Sequence, residues 1–216
     1  RDPLWSRGLG DVYKRQRLGH KDLHAVELPL TSLADDAERT RKMIAQQSGP
    51  VLLVGHSYGG AVITEAGNQP NVTGLVYIAA FAPDAGESPG GITQQDLPAA
   101  APNLAPDSDG YLWLRADKFH ESFCQDLSAD DALVMAVTQK APLASTFGST
   151  ISVPAWRHKP SWYQLSTQDR MITPANQEKM SARMQPRKVL KLDASHASLA
   201  SRADEVAALI DEAARA

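Results

Sequence analysis

A serine stands between two glycines in the run GHSYG at residues 55–59, which fits the pattern G-x-S-x-G. The apolar run VLLV at residues 51–54 precedes it, and a segment that can form a helix follows it. A serine in a tight turn between a buried strand and a helix exposes its hydroxyl and can act as a nucleophile. We expect Gly55 and Gly59 to be required, because a side chain at either would collide with neighbouring elements. Ser57 is therefore the predicted nucleophile.

The residues beside this serine are suited to stabilising negative charge. A helix that begins after Ser57 directs its free backbone N–H groups toward the serine. The backbone amide of Tyr58 is the expected donor to an oxyanion that forms when the serine attacks a carbonyl group. His56, on the other side of the serine, is expected to pack beside it.

A serine nucleophile needs a general base, and the chain has six histidines. His196 lies in the run VLKLDASHAS, just after the last predicted strand, at the carboxyl edge of the sheet where the serine turn also opens. His56 lies inside the turn itself and suits packing better than proton transfer. The sequence therefore predicts His196 as the base.

An acidic residue is needed to orient that base. Asp169 follows the strand-like run WYQLST at the same edge of the sheet and is the preferred candidate. Asp84, after the apolar run GLVYIAAF, and Asp193, three residues before His196, are rivals that the sequence leaves open. The chain order serine, acid, histidine is one in which such triads occur.

Alternating strands and helices must position these residues. Apolar runs predict strands at residues 23–28, 51–54, 74–81, 162–167 and 189–192, and those at 51–54 and 74–81 are typical of strands buried on both faces. Helices are predicted from a cap at Thr31 or Ser32 to about residue 47, from residue 58, over 173–184 and over 198–214. Asp35 and Asp36 in the first of these helices suit the positive end of its dipole. This alternation predicts an α/β fold with a mostly parallel sheet and helices on both faces.

The alternation pauses between residues 83 and 160, which are rich in proline, alanine, glycine and aspartate. No buried strand is evident there, but helical patterns occur at residues 118–127 and 130–140. We interpret this excursion as a helical cap over the sheet edge. Aromatic and neighbouring residues that line a substrate pocket in this arrangement, or alternatively pack between cap and sheet, are His56, Phe81, Trp113, Phe119, Phe123 and Trp156.

Composition excludes several classes of protein. The single Cys124 excludes a disulfide framework and a cysteine-rich metal site. A net charge of -3 gives no electrostatic footprint for nucleic acid. The longest apolar stretch, near residues 74–83, is far shorter than the ~20 residues that span a bilayer. We expect a cytoplasmic protein. No metal site is expected, because the acidic residues do not cluster with histidine, and no cofactor is expected either.

The first seventeen residues, RDPLWSRGLGDVYKRQR, have neither helical nor strand periodicity. They cluster arginine and lysine without apolar partners, and they lack the apolar centre of a signal peptide. We interpret residues 1–17 as a non-native leader. The expected organisation is then a first part of the core at 18–82, the cap at 83–160 and a second part of the core at 161–216.

Five runs make the chain resemble the α/β-hydrolase superfamily: LPLTSLADD, GHSYGGAVITEAG, LVYIAAFAPDAGES, PSWYQLSTQDRMITP and SHASLASRADEVAALI. They are most similar to small capped bacterial esterase-like members related to the hydroxynitrile lyase and methylesterase branch. The resemblance covers residues 18–216. It implies the α/β-hydrolase fold with a cap, Ser57 as nucleophile, His196 as base, Asp169 as acid and the Tyr58 amide as oxyanion donor.

The sequence departs from the family pattern at two places. Hydroxynitrile lyases of this branch carry a lysine directly after the catalytic histidine, whereas this chain has Ala197, which disfavours cyanohydrin cleavage. The family also opens with a strand that ends in a His-Gly motif and supplies a second oxyanion amide, and no such motif precedes LHAVELP. We therefore expect an N-terminally truncated fold, and the loss of one oxyanion donor lowers turnover on the order of 10²–10³-fold.

The expected activity is hydrolysis of small or medium carboxylic esters through an acyl-enzyme on Ser57. Its expected partner is the small-molecule ester, with no nucleic acid and no membrane, and the sequence indicates no oligomeric state. Two alternatives stay open. One is another reaction on the same scaffold, such as C–C bond cleavage or cofactor-free oxygenation. The other is a non-catalytic or weakly active ligand-binding protein, which the missing oxyanion strand favours.

Overall fold

The computed structural model describes residues 19–20 and 22–216. Its strands are β1 (Val51–His56), β2 (Val72–Ile78), β3 (Leu104–Pro106), β4 (Leu112–Leu114), β5 (Ser161–Ser166) and β6 (Lys188–Leu192). Its α-helices are α1 (Leu33–Ala45), α2 (Gly59–Ala66), α3 (Pro89–Gln95), α4 (Phe119–Phe123), α5 (Ala129–Thr138), α6 (Pro174–Met184), α7 (Ser198–Ser201) and α8 (Ala203–Ala214). Residues 1–17, interpreted above as a leader, lie outside the described residues.

Four strands form one parallel sheet in the order β1-β2-β5-β6. Successive side chains of a strand point to opposite faces. In β2, Leu75 and Tyr77 pack into an apolar cluster with helices α1, α2 and α6, whereas Val76 and Ile78 pack into a second cluster with α8. Helices therefore cover both faces, and the predicted α/β architecture is confirmed.

The register of the sheet brings the ends of three strands to one edge. His56 at the end of β1 pairs with Ile78, which in turn pairs with Gln164 near the end of β5. Ser166 at the end of β5 pairs with Leu192 at the end of β6. Because the strands are parallel, the three segments that follow them meet at the carboxyl edge.

The ends of two helices refine the sequence prediction. Of the two candidate caps for α1, Ser32 is the residue used, since its hydroxyl oxygen accepts a hydrogen bond from the Asp35 amide at 3.0 Å. The single helix predicted over residues 198–214 is divided into α7 and α8. The break lies at Arg202, whose φ of -127° and ψ of 42° are not helical.

The strand predicted at residues 23–28 is wrong, because these residues form no regular structure. A strand needs a neighbour that pairs with its backbone groups, and within the described residues the edge strand β1 pairs with β2 alone. Leu28 and Leu30 instead hold the segment against the first apolar cluster. The edge position also leaves Leu52 and Val54 of β1 only half-buried, so the prediction that residues 51–54 are buried on both faces is wrong as well.

Between β2 and β5 the chain leaves the sheet. The two predicted helices are present but shorter, as α4 and α5. The short antiparallel hairpin of β3 and β4 is not predicted from the sequence, since each strand has three residues and β3 ends in a proline. Its turn is held by Asp107, whose carboxylate accepts the amides of Asp109 and Tyr111.

A third apolar cluster joins this excursion to the sheet edge. It packs Phe119 and Cys124 from α4 and its end against Ala132 and Ala136 of α5. Ala197, which follows His196, belongs to the same cluster. The excursion is therefore packed directly beside the residue predicted as the base.

Candidate active site

Ser57 occupies the sharp turn between β1 and α2. Its φ of 54° lies in the left-handed region that a side chain rarely adopts. The turn is fixed by hydrogen bonds, since the Ser57 carbonyl accepts the amides of Gly60 at 3.1 Å and Phe81 at 3.0 Å. Strain of this kind persists where the surrounding structure enforces it, and it is common at functional sites.

The glycines around the turn differ in how much space they have. A Cβ atom at Gly55 would lie 2.5 Å from the carbonyl oxygen of Gly59, so this glycine is required as predicted. The expectation for Gly59 is wrong, because a Cβ atom there would meet nothing within 4 Å. The second obligatory glycine is Gly60, where a Cβ atom would overlap the carbonyl oxygen of Phe81. The close approach of α2 to the chain after β2 explains this difference.

The structure brings Ser57, His196 and Asp169 together in one hydrogen-bonded chain. Nε2 of His196 lies 2.8 Å from Oγ of Ser57, and Nδ1 of His196 lies 2.7 Å from Oδ2 of Asp169. The side chains of His196 and Asp169 are fully buried. With its proton on Nδ1, the imidazole donates to the carboxylate and accepts the serine hydroxyl proton at Nε2. This arrangement can activate the serine as a nucleophile.

Every acceptor atom of the Asp169 carboxylate has a partner. Oδ1 accepts the amides of Met171 at 2.7 Å and Ile172 at 3.0 Å. Oδ2 accepts Nε2 of Gln177 at 2.8 Å in addition to the imidazole. These donors hold the carboxylate in one position, and the carboxylate in turn holds the imidazole in one orientation.

Sequence reasoning missed Gln177. This fully buried glutamine lies on the face of α6 that carries Met180 and Met184, three and seven residues further on. Its Oε1 accepts the amide of Ser166, and its Nε2 also donates to the carbonyl of Ile172. A glutamine at an apolar position of an amphipathic helix is the signal that would have identified it.

The two rival acids lie apart from the imidazole. Asp84 forms an ion pair with Arg157 at 2.7 Å. Partial burial raises the pKa of Asp84, but the hydrogen bonds from Arg157 and the Ala85 amide, together with the charges of nearby arginines, hold the pKa below its ordinary value. Asp193 is exposed, and its carboxylate accepts the hydroxyl of Thr167 at 3.4 Å. Of the three candidates, Asp169 alone contacts His196.

His56 packs against the base, as its position in the turn suggests. Its Nε2 donates to the carbonyl oxygen of His196 at 2.8 Å, and the two ring centroids are 4.7 Å apart. Burial, followed by the proximity of His196, lowers the pKa of His56 to about 3. His56 is therefore neutral near pH 7 and fixes the backbone of His196 rather than carrying a proton.

The side chain of Tyr58 points away from the serine and into a buried polar contact. Its hydroxyl donates to Oδ2 of Asp36 at 2.8 Å, and the amide of Leu30 donates to Oδ1 of the same carboxylate at 2.8 Å. Burial, and then the hydrogen bond to Asp36, raise the pKa of Tyr58 above its ordinary value. Asp36, which the sequence suggests only as a partner of the helix dipole, thus joins α1 to the serine turn.

The predicted pocket residues fall into two groups. The ring edge of Phe123 meets the ring of His196 at a centroid distance of 4.8 Å, and Phe119 stacks on Phe123 at 5.0 Å. Phe81 is buried in the first cluster. The tryptophans make their contacts elsewhere: Trp113 is 40% exposed and donates to Asp107, and Trp156 donates to Pro83 and lies beside two arginines.

The described residues contain neither a metal-binding cluster nor a membrane-spanning helix. No group of three or more histidine, cysteine, aspartate and glutamate side chains is placed to hold a metal ion in this part of the chain. No helix of residues 22–216 is both long and apolar enough to cross a membrane.

Comparison with known proteins gives four similarities. The model of the alpha/beta hydrolase family matches residues 6–209. The chain is 29% identical over 186 residues to the "Probable hydrolase R7" of Phoma sp., covering 78% of this chain and 73% of that protein. The structure resembles that of a pyrethroid hydrolase from Sphingobium faniae JZ-2, with a TM-score of 0.81 and 21% identity over 98% of this chain and 92% of the other. It also resembles polyneuridine aldehyde esterase, with a TM-score of 0.77 and 17% identity over 97% and 94% of the two chains.

Proposed function

The chain belongs to the alpha/beta hydrolase family, as its motifs predict, and we propose that it is a serine hydrolase that cleaves small or medium carboxylic esters. The observation that carries this proposal is the chain of hydrogen bonds from Ser57 through His196 to Asp169, at 2.8 Å and 2.7 Å. Relatives named as hydrolases and esterases support the same class of reaction.

Acylation uses the three residues in sequence. Oγ of Ser57 attacks the ester carbonyl carbon while its proton passes to Nε2 of His196, and the carbonyl π electrons move onto oxygen. The amide of Tyr58, beside the N-terminus of α2, donates to that oxyanion. When the intermediate collapses, the C–O bond to the alcohol breaks, and the leaving oxygen takes the proton from His196. The acyl group remains on Ser57.

Deacylation repeats the same steps with water. His196 removes a proton from a water molecule, whose oxygen attacks the acyl carbon. Collapse of the second intermediate breaks the bond to Oγ of Ser57, which recovers its proton from His196 as the carboxylic acid leaves. Asp169 stays ionised throughout, stabilising the imidazolium and fixing the tautomer. No cofactor enters either half of the reaction.

The excursion at residues 83–160 is the cap of this enzyme in our proposal. Phe123 lies edge-on to His196 and Phe119 stacks behind it, so the aromatic surface beside the base comes from the excursion. Such a surface favours an apolar acyl or alcohol group next to the reacting carbonyl.

Hydrolysis of p-nitrophenyl acetate and butyrate by the wild type and by Ser57→Ala tests the proposal. We expect turnover in the wild type and background rates in the alanine variant. Ser145→Ala, which changes an exposed serine of the excursion, is the matched control and should keep the wild-type rate. Mass spectrometry of protein quenched during turnover should locate the acyl group on the peptide that contains Ser57. Equal rates for the wild type and Ser57→Ala, with ligand still bound, would instead indicate a non-catalytic binding protein.

A further inference from the structure

The end of helix α4 contacts the loop that carries the base. Oδ2 of Asp126 accepts a hydrogen bond from the backbone amide of Ser195 at 2.9 Å. Ser195 directly precedes His196 in the chain and is fully buried. An acidic side chain of the excursion therefore holds the backbone one residue away from the imidazole.

The same stretch of the excursion contacts the loop that carries the acid. Nε2 of Gln125 donates to the carbonyl of Gln168 at 2.6 Å, and Nη1 of Arg170 donates to the carbonyl of Glu121 at 2.7 Å. Gln168 and Arg170 are the two residues that flank Asp169 in the chain. Residues 121–126, which we name the clamp, thus hold both sides of the acid.

The clamp contacts the two loops beyond the point where backbone hydrogen bonds of the sheet join them. Backbone hydrogen bonds join the two loops from Thr167 to Leu192 and from Gln168 to Ala194, at 2.9 Å and 3.0 Å. Beyond Ala194, side chains hold the backbone of the base loop: Asp126 at the amide of Ser195, Ser195 at the amide of Ala197 and His56 at the carbonyl of His196. The backbone on both sides of the imidazole is therefore held by side chains.

The charge of Asp126 suits this contact. Partial burial raises the pKa of its carboxyl, but the surrounding hydrogen-bond donors, those of Ser195 foremost, together outweigh burial and leave the pKa below its ordinary value. The group is therefore an ionised acceptor near pH 7. Hydrogen bonds from a backbone amide to a carboxylate are shorter and stronger than those between neutral groups.

We propose that Asp126 is a positioning residue of the active site, and that the clamp sets the imidazole of His196 between Asp169 and Ser57. The expected effect on turnover rests on the proposed function. The expected effect on the position of the imidazole does not. On this view the excursion covers the site and also holds two loops of the sheet in register. A residue that only stabilised the excursion would affect folding and leave the imidazole in place.

Three variants separate these roles. Asp126→Ala removes the acceptor for Ser195, whereas Asp126→Asn keeps an oxygen in the same position and should rescue most of the activity. Asp117→Ala is the matched control, because Asp117 is an exposed aspartate of the same excursion that pairs with Arg115. We expect kcat for p-nitrophenyl butyrate to fall about 10- to 100-fold in Asp126→Ala, the size of effect that a small misplacement of a catalytic group produces. KM should stay near that of Asp117→Ala, whereas Tm should fall by a few degrees, because the buried amide of Ser195 loses its acceptor.

Proton NMR supplies a readout that does not depend on turnover. The buried hydrogen bond between His196 and Asp169 should give a far-downfield proton signal that disappears in His196→Gln. We expect this signal to be lost or broadened in Asp126→Ala and kept in Asp126→Asn and Asp117→Ala. Gln125→Ala, which removes the hydrogen bond to the carbonyl of Gln168, should weaken the signal as well. This variant replaces Asp126→Ala in the test if the latter folds poorly.

The outcomes distinguish the two hypotheses. A wild type without Ser57-dependent turnover would contradict the proposed function, and the NMR signal alone would then decide on the clamp. An unchanged signal in Asp126→Ala, with kcat equal to that of Asp117→Ala wherever turnover exists, overturns the clamp. An asparagine variant as impaired as the alanine variant also overturns it, because the retained oxygen should still accept the Ser195 amide.

Discussion

Gln177 donates its side-chain amide to Oδ2 of Asp169, the same oxygen that receives the imidazole of His196. With the amides of Met171 and Ile172 on Oδ1, four donors surround the carboxylate. A carboxylate held by this many donors keeps one orientation. The Asp169 side chain is therefore itself oriented by α6.

Gln177→Ala tests this relationship. The change removes one of the four donors to Asp169 and the acceptor of the Ser166 amide, so we expect a loss of about 1–3 kcal/mol in unfolding free energy for the amide left unpaired. The acid also gains freedom, so kcat should fall about tenfold or more. Glu178→Ala is the control, because its exposed ion pair with Lys191 contributes little. Urea unfolding and ester kinetics measure the two effects, and equal kinetics for both variants would refute the role of Gln177.

The pKa of His56 predicts a pH dependence of stability. Burial lowers this pKa in the folded state to about 3, below the ordinary value near 6.5. The unfolded chain therefore binds more protons between these values, and the unfolding free energy falls as the pH is lowered through this range. Above this pH range, His56 does not make the unfolding free energy depend on pH. His56→Gln keeps a donor but cannot titrate, so its stability should fall less steeply with acidification. Urea unfolding from about pH 7 to about pH 4 compares the two, and parallel curves would contradict the prediction.

The contact between Tyr58 and Asp36 predicts a large effect from the loss of one hydroxyl. Tyr58→Phe leaves an oxygen of a buried carboxylate without its donor, which should lower the unfolding free energy by about 1–3 kcal/mol. Tyr77→Phe removes a neutral hydrogen bond to Thr64 at 2.9 Å and should lower it by about 0.5–1.5 kcal/mol. Thermal or urea unfolding ranks the two variants. A smaller loss for Tyr58→Phe than for Tyr77→Phe would show that the buried carboxylate finds another donor.

Two adjacent glycines should respond in opposite ways to the same substitution. At Gly60 a new methyl group would overlap the carbonyl oxygen of Phe81, so Gly60→Ala must displace α2 or the chain after β2. We expect a loss of about 1–3 kcal/mol in stability, as in other overpacked sites. Gly59→Ala meets open space at the start of a helix and should unfold near the wild-type temperature. Circular dichroism melts of the two variants compare them directly, and equal melting temperatures would contradict the packing argument.

The sequence predicts that Ser57, Asp169 and His196 lie at one edge of the sheet, because chain order and strand ends determine their placement. Ser57, Asp169 and His196 each follow an apolar run, and parallel strands bring their carboxyl ends to one edge. The sequence favours Asp169 but leaves Asp84 and Asp193 open, since all three follow apolar runs, and the hydrogen bond to His196 distinguishes Asp169. The confirmed parts of the fold, the parallel sheet and the helices on both faces, follow from the same alternation.

The residues that support the triad were not predictable in this way. Gln177, Asp36 and Asp126 lie 8, 22 and 69 residues from the groups they hydrogen-bond, and no local pattern links the partners. The error at residues 23–28 has a similar origin, because a strand depends on a neighbour that its own sequence does not specify. Whether Gly59 or Gly60 must be a glycine depends on which of the two faces the chain after β2, and the sequence does not specify this.

The clamp has a consequence for the exchange of segments between related proteins. Replacing the whole of residues 83–160 to alter substrate preference would also replace the acceptor at position 126 and the carbonyl that receives Arg170. A chimaera joined at the two ends of the excursion would then keep Ser57, Asp169 and His196 but lose the native contacts from residues 121–126. The safe junctions lie inside the excursion, on either side of residues 121–126, and a donor segment would need a side-chain acceptor for Ser195. If the proposed clamp holds, substrate preference and turnover cannot be exchanged independently through this stretch of chain.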